Sequence, residues 1–70
     1  MKRRALEFVV DTRMRRLVEE QVRQAAGEAL ARLTIAPVDG TPRYKITALV
    51  DDALAPAVMR AVMNALDEKG

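Results

Sequence analysis

The chain has 70 residues, a mass of 7.8 kDa and a net charge of +2, from 12 Lys and Arg against 10 Asp and Glu. It contains no Cys, His or Ser, which excludes the common activated nucleophiles, a base that titrates near neutrality and a structural zinc site. We therefore predict one small domain spanning residues 1–70, with no enzymatic activity and no cofactor.

The apolar content predicts a thin core. Half of the residues are apolar, but twelve of them are Ala and only Phe8 and Tyr44 are aromatic. A core in a chain of this size supplies about 3–5 kcal/mol at most, and no disulfide can add to it. Self-association is therefore an expected further source of stability.

The first predicted element is a β-strand at residues 5–10. This segment is rich in strand-forming residues and is followed by Asp11 and Thr12. Its alternation places Leu6, Phe8 and Val10 on the inward face.

A long amphipathic helix is predicted from Arg13 onward, with Asp11 or Thr12 as its N-cap. Gly27 lies within the apolar pattern, so either the helix ends there or a neighbouring element packs closely against it. The apolar positions at three- and four-residue steps are Met14, Leu17, Val18, Val22, Ala25, Ala26, Ala29, Leu30 and Leu33.

A β-hairpin is predicted next. Residues 33–38 form a strand in which Pro37 favours an edge position, because proline cannot donate to a sheet ladder. Residues 39–42, Asp-Gly-Thr-Pro, are typical of a turn. Residues 43–50 alternate, which predicts a half-buried strand. Its inward side comprises Tyr44, Ile46, Ala48 and Val50.

A second helix is predicted after Asp51 or Asp52, either of which can cap it. Capping explains these two carboxylates without a metal or catalytic role. Pro56 fits only the first turn of such a helix. Met59 and Met63 are expected to fill the core. The other apolar positions are Leu54, Val58, Ala61, Val62, Ala65 and Leu66.

The element order β-α-β-β-α predicts an α+β two-layer sandwich, with both helices on one face of an antiparallel sheet. It resembles the ferredoxin-like layout, βαββαβ, lacking the last strand. In that layout the first strand lies beside the missing one, so the resemblance implies a bare outer edge. We expect this edge to pair with a second copy or with another protein. Alternatively, Arg3, Arg4 and Glu7 protect the edge of a monomer, or the tail folds over it. The expected interface residues are Leu6, Phe8, Val9 and Val10.

Arg13, Arg15 and Arg16 are a candidate anion or partner-binding site. They lie at the start of the predicted helix, where the macrodipole favours negative charge. A phosphate or carboxylate there would meet both guanidinium groups and backbone amides. The simpler interpretation is a set of surface ion pairs with Glu19 and Glu20.

The same loop argues against metal carriage. Heavy-metal-associated domains share this element order and hold their metal through Met-x-Cys-x-x-Cys after the first strand. Here residues 11–17 read Asp-Thr-Arg-Met-Arg-Arg-Leu, with arginine where thiolates would be needed. We expect no bound metal.

Residues 1–16 carry a net charge of +4, from six basic residues against Glu7 and Asp11. We read no secretory signal and no apolar run long enough to span a bilayer, so a cytoplasmic location without membrane association is expected. The leading hypothesis is a small protein-interaction module that forms a homodimer through its first strand. The alternative is a regulatory protein that binds an anionic ligand or nucleic acid through the same arginines. A subunit of a larger enzyme also fits.

Overall fold

The computed structural model describes residues 2–69, which form three strands and two helices. Strand β1 (Arg3–Asp11) leads directly into helix α1 (Thr12–Ala26). A short 3-10 turn (Gly27–Ala29) precedes β2 (Leu30–Val38), and β3 (Arg43–Asp51) follows. A second 3-10 turn (Asp52–Leu54) leads into α2 (Ala55–Lys69). The predicted element order is confirmed.

The strands form one antiparallel sheet in the order β1-β3-β2. Strand β1 pairs with β3 from Arg3 opposite Asp51 to Asp11 opposite Arg43, with no shift in register. The β2–β3 register is shifted between Leu30 and Arg32. Because both outer strands run antiparallel to β3, they run parallel to each other, and α1 is the connection between them.

The core lies between the sheet and the two helices, which cover one of its faces. The molecule is only 14 Å across in its thinnest direction, as expected for two layers. The predicted inward face of β1 is confirmed, since Leu6, Phe8 and Val10 are all buried. The side chains at or near complete burial are Val18 and Val22 of α1, Ile46, Ala48 and Val50 of β3, and Val58 and Val62 of α2.

Gly27 ends α1. Its φ of +54° is costly for a residue with a side chain, and its amide donates to the carbonyl of Arg23. The alternative of a closely packed neighbour is wrong, because nothing lies within 4 Å of the position that a Cβ would take. The helical assignment of Leu30 is also wrong, whereas the strand predicted from Leu33 onward is confirmed. Both belong to β2, and Leu33 lies opposite Ala48 on the inward side of the sheet.

The caps of the two helices differ. The Asp51 side chain accepts a hydrogen bond from the amide of Ala53, as predicted, although the turn it caps is the 3-10 turn before α2. Asp11 occupies the N-cap position of α1 but makes no side-chain cap hydrogen bond. The Thr12 hydroxyl instead donates to the carbonyl of Pro42 at 3.1 Å. The predicted N-cap position is therefore confirmed at Asp11 without a side-chain hydrogen bond, and Thr12 ties this junction to the β2–β3 turn.

Candidate interaction surface

The outer edge of β1 is an open hydrogen-bonding edge. This strand is nine residues long and pairs with β3 along its whole length. On its other side no strand follows within the part of the chain that the structure describes. Alternate backbone amides and carbonyls of an edge strand point away from its neighbour, so they are available to a further strand.

The edge formed by β2 is less suited to strand addition. Pro37 lies within β2 and cannot donate a backbone hydrogen bond. The register shift between Leu30 and Arg32 also interrupts the regular ladder at the other end of that strand. Prolines and irregularities are common protection against edge-to-edge pairing. Since β1 has neither, it is the better of the two edges for a partner strand.

The four predicted interface residues lie on opposite faces of β1. Leu6, Phe8 and Val10 are at most 7% exposed and point beneath the helices. Val9 points to the uncovered face of the sheet and is 56% exposed. A partner strand at this edge would therefore contact the backbone of all four residues, with Val9 alone supplying a largely exposed side chain.

Three charged side chains of β1 are paired within the chain. Arg4 Nε lies 3.0 Å from Asp52 Oδ1, and Glu7 Oε1 lies 3.1 Å from Lys45 Nζ. Asp11 Oδ1 is 3.9 Å from Arg43 Nε, across the β1–β3 ladder. These pairs are exposed and contribute little to stability. They join β1 to neighbouring elements, whereas Arg3 is exposed and makes no salt bridge with the residues described.

One flank of α2 extends this surface with apolar side chains. Met59, Met63 and Leu66 are spaced at four and three residues, so they share one side of the helix. Leu66 also lines a shallow depression with Val9 and Val10, which places the Leu66 end of this flank beside the end of β1. We call these three residues the methionine flank.

The expectation that Met59 and Met63 fill the core is wrong, because they are 37% and 55% exposed. Helical periodicity alone does not distinguish these two methionines from the buried positions of α2, since they lie next to those positions around the helix. Met14 does pack against the core.

The predicted arginine site is spread over the first turns of α1. The Arg15 guanidinium lies 4.9 Å from the centre of the Tyr44 ring, and its Nε lies 3.6 Å from Glu19 Oε1. The expected surface ion pair is therefore present. Arg13 and Arg16 are exposed and make no salt bridge with the residues described.

The three arginines line two separate surface depressions rather than one. Arg15 and Arg16 line one with Glu19, whereas Arg13 lines another with Asp11 and Pro42. An acidic side chain lines each depression, which weakens the attraction for a small anion. The arrangement suits contact with an extended acidic surface better than enclosure of a single ion.

Over residues 2–69, no group of three or more acidic side chains is placed so that it could hold a metal ion. Within that range, neither helix is long and apolar enough to cross a membrane.

In comparisons with known proteins, no family model, no curated protein and no solved structure matches this chain. Its function is therefore inferred from the geometry of its own residues.

Proposed function

We propose that this chain is a small cytoplasmic assembly module, without catalytic activity, that forms a homodimer through β1. In this proposal the fold is the ferredoxin-like layout without its last strand, and the partner's β1 occupies the position of that strand. The single observation that carries the proposal is the open, regular edge of β1, free of proline and bulges.

Strand addition suits a molecule with so small a core. The partner strand would satisfy the outward backbone groups of β1 and extend the sheet to six strands across the pair. It would also cover side chains at the rim of the core, where Leu6, Phe8 and Val10 retain 6–7% exposure. Oligomerisation is a common source of stability for chains of this length.

The basic start of α1 would then present Arg13 and Arg16 to an acidic partner or anion. Both guanidinium groups are exposed, and they lie on α1 rather than at the edge of β1. Charged groups outside an apolar or backbone-mediated interface mainly set orientation and association rate. Arg15 contributes less, because Glu19 and Tyr44 already engage it.

Light scattering tests the proposal directly. We expect the mass of a dimer, about twice 7.8 kDa, and its persistence at high salt because backbone pairing and apolar contact are weakly screened. A monomer at all protein and salt concentrations would overturn the proposal and favour the arginines as the functional surface.

Two variants locate the interface. Val9→Pro is expected to abolish the dimer, because proline interrupts strand pairing. If circular dichroism shows that Val9→Pro does not fold, loss of the dimer in Val9→Lys is the test. Val9 is already exposed, so this change should be tolerated in the monomer, and lysine protects strand edges from pairing. Thr34→Lys, an exposed position on β2, is the matched control and should remain dimeric. A dimer that persists in folded Val9 variants would exclude the β1 edge.

A further inference from the structure

The register of a β1–β1 pair is restricted by the two faces of the sheet. Residues directly opposite each other in an antiparallel pair point to the same face. A core that continues across the pair therefore requires residues that face the helices to lie opposite each other. Residues on the uncovered face must likewise lie opposite each other. In a two-fold pair, this condition places one residue of β1 opposite its own copy, with Leu6, Glu7 and Phe8 as the central choices.

Charge and overlap select among these three registers. A pair centred on Glu7 aligns all nine residues of β1 and places Arg3 opposite Asp11 of the second copy at both ends. Centring on Leu6 places Arg3 opposite Val9 and leaves Val10 and Asp11 beyond the paired strand. Centring on Phe8 leaves Arg3 and Arg4 beyond the paired strand. Only the Glu7 register brings the strand's basic and acidic ends together.

The centre of that register contains two copies of Glu7, which by themselves would repel. Each Glu7 carboxylate lies 3.1 Å from Lys45 Nζ of its own chain. Two lysines therefore balance the two carboxylates. The four charges lie on the uncovered face of the sheet and remain hydrated.

The same two-fold axis brings the helical layers together. Because outward residues stay opposite outward ones, both pairs of helices lie on the same side of the six-stranded sheet. Among the strands α2 packs chiefly against β1, whereas α1 lies mainly over β3, so α2 lies toward the open edge. Leu66 lies beside Val9 and Val10 at the end of β1, so the methionine flank on that side of α2 would face the same flank of the second copy.

We infer that two copies pair through β1 in a register centred on Glu7, and that Met59 and Met63 of each α2 pack against each other across the two-fold axis. This inference rests on the proposed function, because it specifies the partner and geometry of the same edge. It also gives a role to Met59 and Met63, two of the three exposed large apolar side chains of residues 2–69.

Single-cysteine variants test the register, because the chain has no cysteine of its own. Glu7→Cys is expected to give disulfide-linked dimers under mild oxidation, and also with a short bifunctional maleimide. Ala5→Cys and Val9→Cys are the controls, since each would lie about 14 Å from its own copy, twice the reach of a disulfide. We expect linkage of Glu7→Cys to be about tenfold faster than either control. A mixture of the two control variants should form the heterodimer, because residue 5 lies opposite residue 9 of the second copy.

The outcomes separate the register from the dimer itself. A dimer by light scattering in which Ala5→Cys or Val9→Cys links fastest would overturn the Glu7 register and leave strand pairing intact. A dimer with no linkage in any variant would overturn both the register and the β1 interface. A monomer would overturn the proposed function as well.

A lysine substitution tests the helix contact. Met63→Lys should raise the dimer dissociation constant about tenfold, because it buries two charges at the axis. Asn64→Lys adds the same charge to the neighbouring exposed position and should leave the dimer dissociation constant unchanged. Equal dissociation constants for the two variants would exclude the methionine contact.

Discussion

Opposite charges lie at the two ends of β1. Arg3 begins the strand and Asp11 ends it, and both are exposed. Asp11 is only weakly held by Arg43 at 3.9 Å, so it can turn toward a second copy. The charges matter chiefly for specificity, because an exposed ion pair contributes about 0.2–1 kcal/mol. They select one register among alternatives whose backbone hydrogen bonds are similar.

Reversing the charge at either end of β1 tests the proposed register. Arg3→Glu and Asp11→Lys should each weaken the homodimer about tenfold, since either variant creates two repulsive pairs. An equimolar mixture of the two variants should recover an affinity close to that of the original chain, because opposite charges again meet at both ends of the paired strands in the heterodimer. Analytical ultracentrifugation of the separate and mixed variants measures this. Failure of the mixture to recover would contradict the register.

The end of α1 is decided by the backbone of Gly27. Apolar residues continue at helical steps beyond it, yet the chain leaves the helix and turns into β2. Ending the helix here frees Leu33 and Ile35 to pair with β3 on the inward side of the sheet. A single glycine thus separates a 15-residue helix from a nine-residue strand.

Gly27→Ala is expected to lower the free energy of unfolding by about 1–3 kcal/mol. The cost is backbone strain at φ +54°, because no neighbouring atom lies within 4 Å of the new Cβ. Chemical denaturation measures the loss. Glu28→Ala, at the adjacent exposed position, is the control and should change stability by less than about 0.5 kcal/mol. Equal stability of the two variants would show that Gly27 is not required to end α1.

The whole molecule has one covered and one uncovered sheet face, and α2 packs over the strand at the open edge. Helix α1 contacts all three strands, whereas α2 packs over β1 at the side of the sheet. The core therefore extends to the open edge, where Leu6, Phe8 and Val10 are buried. A second copy would continue both the sheet and the helical layer.

Thermal stability should depend on protein concentration if the dimer contributes to it. A hundredfold increase in concentration adds about 2.7 kcal/mol per dimer by mass action, which corresponds to a Tm about 5–10 °C higher for a chain of this size. Calorimetry over that range measures the shift. A constant Tm would mean that folding is independent of association, and Val9→Lys should show such a constant Tm.

Much of the candidate surface could be predicted from local sequence. The strand at residues 5–10 and its buried face follow from alternation, and the edge position of β2 follows from Pro37. The exposure of Met59 and Met63 could not be predicted in the same way. Their distance from the core depends on where α2 lies over the sheet, and helical spacing contains no information on that placement.

The order of the elements, the hairpin turn and the inward faces of β1 and β3 follow from local sequence, because periodicity, proline and turn residues act over a few positions. The tertiary structure decided three other features. It assigned Leu30 to β2, directed the Thr12 hydroxyl to Pro42 and placed Leu66 of the methionine flank beside the end of β1. These features depend on contacts between residues distant in the chain, whose relative positions are fixed only when the layers pack.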